Sequence, residues 1–182
     1  MRIIGGSLKG RRFNPPKGLP VRPTTDFSKE SIFNILNNRF DFESLIALDL
    51  FAGTGNISFE LASRGCENIT AVDNNSGCAR YMQNAAKELG IEAQIDVVKE
   101  DVFSFLRNPH AQYDLIFADP PYTFENLDEL ISLVFENNLL KAGGWFILEH
   151  QPKVFFEKHP RFVQQRKYGS SLFSIFQLSS LS

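Results

Sequence analysis

The sequence predicts an α/β domain: an open, Rossmann-like, mostly parallel sheet between helices, entered through an N-terminal extension. Two observations predict it. Short apolar runs alternate with longer segments whose apolar residues recur at helical spacing, the pattern of parallel strands joined by crossover helices. Glycine-rich or proline-rich turns follow several of these runs, where open α/β sheets hold their ligands. With 182 residues, 43% of them hydrophobic and 22% charged, one ordinary domain with a full core is expected. We divide it into a basic extension and helix over 1–40 and a core over 41–182.

Residues 1–25 are rich in Gly, Pro and Arg and predict an irregular segment with at most one short hairpin. Thr24, Thr25 and Asp26 offer capping oxygens to a helix over 27–38, with Ile32, Phe33, Ile35 and Leu36 on its buried side. Residues 45–50 form the first strand, followed by a glycine loop and a helix over 57–64. Residues 68–73 form the second. The next helix carries Cys78, Tyr81, Met82, Ala85, Ala86 and Leu89 at helical spacing, a core stripe. Strands follow over 93–99 and 114–118. Leu127, Leu130, Ile131, Val134 and Phe135 mark another amphipathic helix, and Gly143-Gly144 is expected to open a strand over 145–149. Strands over 161–168 and 171–178, turning at Gly169-Ser170, make a terminal hairpin that adds an antiparallel edge.

The net charge of −2 hides an asymmetry. Arg2, Lys9, Arg11, Arg12, Lys17 and Arg22 precede the first acidic residue, Asp26, and the chain from there on carries a net −8. From 151 onward Lys153, Lys158, Arg161, Arg166 and Lys167 face only Glu157. Basic ends on an acidic body suit a polyanion docked on selected surfaces, with Arg11, Arg12 and Arg22 as phosphate contacts. Cys66 and Cys78 lack metal-ligand spacing, and His110, His150 and His159 lack a zinc pattern. No metal is expected. No apolar run approaches a membrane span and the start has no signal-peptide profile, so no membrane association and a cytoplasmic location are expected.

Three strand ends carry polar residues suited to a nucleoside-bearing cofactor. The first runs through Asp49, Phe51, Gly53 and Gly55, where glycines let the backbone approach a ligand. Ser58 stands where a dinucleotide fingerprint would have its third glycine, so the loop fits S-adenosylmethionine better than NAD. Asp73-Asn74 ends the second strand, where a carboxylate can accept from ribose hydroxyls. Asp101, with Val102 beside it, is placed to accept from an adenine amine or simply to cap the next turn. The fourth strand ends in Asp119-Pro120-Pro121-Tyr122. Two prolines stiffen the turn, the carboxylate and Pro120 carbonyl can accept from an amine, and the ring can stack on a flat base. That combination suits methyl transfer to an exocyclic amine.

Arg2-Ile3-Ile4-Gly5-Gly6, Lys9-Gly10-Arg11, Arg22-Pro23-Thr24-Thr25-Asp26, Glu30-Ser31-Ile32-Phe33-Asn34 and the tetrad closely resemble the bacterial 16S ribosomal RNA guanine-N2 methyltransferases of the RsmD type. The resemblance implies a seven-stranded class I S-adenosylmethionine-dependent methyltransferase fold. It also implies a guanine of 16S ribosomal RNA as acceptor, presented on a small-subunit assembly particle. It implies cofactor contacts at Gly53, Gly55, Asp73 and Asp101 and catalysis at Asp119–Tyr122. The family often has arginine where Phe27 stands, with Lys29 two residues on.

Other readings stay open at this point. The same tetrad serves amines of DNA adenine or cytosine and of protein glutamine. A non-catalytic ribosome-assembly factor would keep the basic arm without the chemistry. An NAD-dependent dehydrogenase is disfavoured by Ser58.

Overall fold

The protein is described from a computed structural model covering residues 1–19, 25–108 and 111–178. Arg22, Thr24 and His110 lie outside the described residues. Seven strands form one sheet: β1 (Ile46–Leu50), β2 (Asn68–Asp73), β3 (Ile95–Lys99), β4 (Tyr113–Ala118), β5 (Leu140–His150), β6 (Phe162–Tyr168) and β7 (Ser171–Phe176). Their order is β3-β2-β1-β4-β5-β7-β6. The first five are parallel; β7 runs antiparallel to β5, and β6 pairs antiparallel with β7 on the outside. The chain reverses direction across the sheet between β1 and β4. A switch point of this kind is where open α/β sheets hold their ligands.

The sheet divides two apolar layers. Ala47, Leu115, Phe117, Trp145 and Ile147 face one, and Leu48, Leu50, Ile116, Phe146 and Leu148 the other, as a period of two requires. Helices α1 (Asp26–Arg39), α2 (Asn56–Ser63) and α3 (Ser76–Leu89) contribute to the first layer. Helices α4 (Val102–Arg107) and α5 (Leu127–Glu136) contribute to the second. Met82, Ala85 and Ala86 lie in the core, as their spacing predicts.

Two details differ from expectation. Gly143-Gly144 does not open β5 but lies inside it. Between Tyr113↔Leu140 and Leu115↔Trp145 the β5 side holds three extra residues, and Gly143 takes a φ of 78° within this bulge. A Cβ on Gly144 would sit 2.8 Å from the Asp114 carbonyl oxygen, so the bulge needs a residue without one. The segment after β3 is a full short helix, α4, rather than a single turn.

The basic arm is folded. Arg2 and Arg12 pair as an antiparallel bridge, with Ile3 N donating to Arg11 O at 3.0 Å and Gly10 N to Ile3 O at 2.8 Å. Ile3 and Phe13 are buried, and Phe13 meets Phe59 edge to face at 5.0 Å. The amides of Ile4 and Gly5 each donate to the Glu60 carboxylate at 2.8 Å. Glu60 is fully buried, as is Lys29, whose Nζ lies 3.2 Å away. That ammonium also donates to Arg2 O at 2.6 Å and Asn56 Oδ1 at 3.0 Å. Lys29 is therefore a structural cation joining α1, α2 and the arm. Phe27 is 63% exposed and touches only the edge of Tyr168 among the aromatic rings described. No helix among the described residues is long and apolar enough to cross a membrane.

Candidate active site

Four loops meet at the carboxyl ends of β1, β2, β3 and β4. The first, after β1, turns through three residues in the left-handed region: Phe51 at φ 59°, Gly53 at 56° and Gly55 at 82°. A Cβ on Gly55 would approach Met82 Cγ and Phe59 Cζ at 2.9 Å each, so the bare backbone there is required by packing as well as by φ. Phe51 holds a conformation that an ordinary side chain resists, costing about 1–3 kcal/mol. Its ring is secured against Phe124 at 5.1 Å, and Phe124 stacks on Phe103 at 5.5 Å. The three rings tie the loop after β1 to the loops after β3 and β4.

Asp73 braces this arrangement. Its Oδ2 accepts from Gly53 N at 2.8 Å and its Oδ1 from Asn75 N at 2.8 Å. A carboxylate has about four lone-pair positions, so further donors such as hydroxyls have room. Asn74 beside it is exposed. Asn75, not Asp73, caps α3, accepting from Gly77 N and Cys78 N.

Asp49 lies deeper. Only 2% of it is exposed, and its Oδ2 accepts from Ser58 N at 3.1 Å and Ser58 Oγ at 2.6 Å. Burial pushes its carboxyl up to about 7, opposed by the two Ser58 bonds. Ser58 thus has a positive role where a glycine would have none: its hydroxyl joins β1 to the first turn of α2. Asp101 caps α4, its Oδ1 accepting from Ser104 N at 3.0 Å, and stays exposed, while Val102 is buried. The capping reading holds, and a second oxygen remains available to a ligand.

The tetrad forms the opposite wall. Asp119 is half-buried, Pro120 buried, Pro121 exposed and Tyr122 42% exposed. Phe124 N donates to Pro121 O at 2.8 Å, closing the turn, and Gln151 Nε2 donates to Tyr122 O at 2.7 Å. Behind the turn lies a cleft of about 110 Å³ lined by Pro121, Tyr122, Phe124, Glu149, Gln151 and Val154, among others. Glu149 and Gln151, at the end of β5 next to β4, line this cleft and were not among the expected site residues.

The predicted residues of the loops after β1, β2, β3 and β4 therefore converge. Arg11 and Arg12 do not join them; both are exposed on the arm. Arg12 instead lines a separate open hollow of about 560 Å³ with Arg2, Asn14, Thr25, Asp26 and Asn56.

This sheet order with a glycine loop and a proline-rich tetrad at the switch point defines a class I methyltransferase fold. Its coordinates superpose on the Escherichia coli protein yhhF with a TM-score of 0.85 at 27% identity, covering 97% of each chain. A more distant likeness, at TM-score 0.69 and 20% identity, is the Thermus thermophilus 16S rRNA N2 G1207 methyltransferase RsmC in complex with AdoMet and guanosine; it covers 88% of this chain and 45% of that one. In sequence, the chain is 32% identical over 152 residues to Ribosomal RNA small subunit methyltransferase D of Haemophilus influenzae, covering 82% of this chain and 78% of the relative. The family model described as conserved hypothetical protein 95 matches residues 1–177. The chain belongs to this RsmD-type family.

Proposed function

We propose that this protein is an S-adenosylmethionine-dependent ribosomal RNA methyltransferase that methylates the exocyclic N2 amine of a guanine in 16S ribosomal RNA. The observation that carries the reading is that the Gly53–Gly55 loop, braced by Asp73, and the Asp119–Tyr122 turn leave neighbouring strands β1 and β4 at the same end of the sheet. The curated relative named for methylation of small-subunit ribosomal RNA supports it.

The residues fit the cofactor. Gly53 and Gly55 present backbone without side chains, and Asp73 keeps acceptor capacity toward a ribose. Asp101 would accept from the adenine amine beside Val102. Once bound, the cofactor supplies a methyl group on a sulfonium, whose sulfur leaves neutral. The protein's task is positioning. Asp119 and the Pro120 carbonyl accept from the amine, turning its lone pair toward the methyl carbon. Tyr122 stacks on the base, worth about 1–3 kcal/mol. Orientation of this kind contributes up to about 7–11 kcal/mol. The amine proton is lost after transfer, when the nitrogen has become acidic, so Asp119 orients without having to abstract. Arg11, Arg12 and Arg22 engage phosphates of the RNA on a small-subunit assembly particle.

The test is mass analysis of nucleosides in 16S ribosomal RNA from cells with and without the gene. A loss of one N2-methylguanosine is expected; an unchanged N2-methylguanosine content overturns the reading. At the site itself, Asp119→Asn should keep measurable single-turnover transfer while Asp119→Ala loses far more. Equal loss in both would overturn the orienting role.

A further inference from the structure

We infer that the connection between β5 and β6 is a single-stranded RNA surface, on which Phe155 stacks against a base next to the target guanine while Lys153 and Lys158 engage the flanking phosphates. The inference rests on the ribosomal RNA reading above and deepens it by naming where the strand beside the acceptor is held.

Phe155 is 75% exposed, more than any other large hydrophobic residue described. Isolated apolar residues are ordinary on a protein surface, so exposure alone decides nothing. The setting of this one is not ordinary. Val154, the residue before it, lines the same cleft as Pro121 and Tyr122 of the tetrad. Gln151 donates from Nε2 to Tyr122 O at 2.7 Å, so the start of the connection is bonded to the tetrad turn. Phe156, the residue after it, is buried and meets His150 edge to face at 4.9 Å and Phe176 at 5.5 Å. Val154 N donates to Gln151 O at 3.2 Å, His159 N to Phe156 O at 2.8 Å and Phe162 N to His159 O at 3.0 Å, a succession of short turns. Phe155 therefore stands on a backbone pinned on both sides. A ring presented from a braced loop has less freedom to lose when a ligand covers it.

The charges around the ring select the partner. Lys153 and Lys158 are exposed, with the exposed acid Glu157 between them. Arg161 follows, its guanidinium 5.6 Å from the centre of the Phe135 ring. Lys153, Lys158 and Arg161 against Glu157 give residues 151–161 a net +2, on a chain that carries −8 from Asp26 onward. An aromatic ring among cations is the combination that holds unpaired nucleotides: the ring takes a base face and the ammonium groups take phosphates. A target base that leaves its stack for the cleft bares the face of its neighbour. Phe155, one residue beyond the cleft wall, is placed to cover that face.

The experiment uses the full chain and reconstituted small-subunit particles carrying 5-iodouridine at the nucleotide on one or the other side of the mapped target guanine. Under ultraviolet light this base crosslinks to an aromatic ring stacked on it. The parent should crosslink at Phe155 from one of the two positions. Phe155→Ala should lose the crosslink and fall about 5- to 100-fold in kcat/KM on unmodified particles, the scale of one base–aromatic stack. Its Tm and S-adenosylmethionine affinity should match the parent's, and Phe155→Trp should keep most of the rate. Lys153→Gln with Lys158→Gln should reduce the salt slope of particle binding by about 1.4. A Phe155→Ala rate within twofold of the parent overturns the inference. So does a parent with no crosslink at Phe155 from either position, whatever the variants do; if Phe155→Ala still loses rate in that case, the ring meets a protein of the particle instead. A parent that yields no N2-methylguanosine on unmodified particles would sink the underlying functional reading.

Discussion

Replacing Lys29 with methionine should loosen the arm and cost stability out of proportion to one exposed-looking lysine. The substitution keeps the length of the apolar stem and removes the charge. Three partners are affected. Glu60 loses an ammonium 3.2 Å away, Arg2 O a bond of 2.6 Å and Asn56 Oδ1 one of 3.0 Å. Removing one member of a buried pair costs about 3–5 kcal/mol. The lower half of that range applies to the pair itself, because Glu60 keeps Arg64 at 2.9 Å and the two arm amides at 2.8 Å. Two orphaned acceptors add roughly 1 kcal/mol each. A loss of about 5–6 kcal/mol should lower Tm by roughly 10–20 °C in a chain of this length. Urea unfolding measures the loss. Limited proteolysis at Arg11 and Arg12 reports arm release, expected to rise in the variant. Adding Glu60→Gln should recover at least about 1 kcal/mol through coupling. A Lys29→Met loss below about 1 kcal/mol, with proteolysis unchanged, would refute the claim that this pair fastens the arm.

Asp49 makes stability depend on pH. Its carboxyl titrates near 3.8 unfolded and about 7 folded, so between those values the native state holds the proton more tightly and stability falls as pH rises. Asp49→Asn should therefore gain on the parent across that window, by at most about 4 kcal/mol at ~1.36 kcal/mol per pH unit; parallel urea midpoints at all pH values would contradict this. Gly55→Ala should weaken S-adenosylmethionine binding at least about tenfold in calorimetry, since φ is 82° and the new Cβ meets Met82 and Phe59. Neutralising Arg11 and Arg12 together should reduce the salt slope of RNA binding by about 1.5 while leaving cofactor affinity alone; an unchanged slope would remove the arm from the interface.

Much of the fold was legible because strand and helix periods are local. The runs ending at Leu50, Asp73 and Ala118 are short apolar segments bounded by turn residues, and the pairing of β1 with β4 brings the glycine loop beside the tetrad. What was not legible depends on partners distant in sequence. Lys29 reads as a surface charge on α1 until Glu60, 31 positions on, is seen against it. Ser58 reads as a missing glycine until Asp49 is found beneath it. Gly143-Gly144 looks like a strand boundary because glycine usually breaks strands; here close approach to Asp114 makes it part of one.

The place of β7 has a consequence for how the sheet assembles. Among the described strands β6 pairs only with β7, and β7 joins it to β5. During synthesis β6 emerges first and has no sheet to join. The outer edge of β5 stays an open template until the following strand arrives, and an open edge invites pairing with other chains. β6 reaches the sheet only through its pairing with β7. When it does, Tyr168 O accepts from Ser28 Oγ across 140 residues of sequence, closing α1 over the end of β6. That bond joins the start of α1 to the last strand pair, so it closes only over a loop of most of the chain.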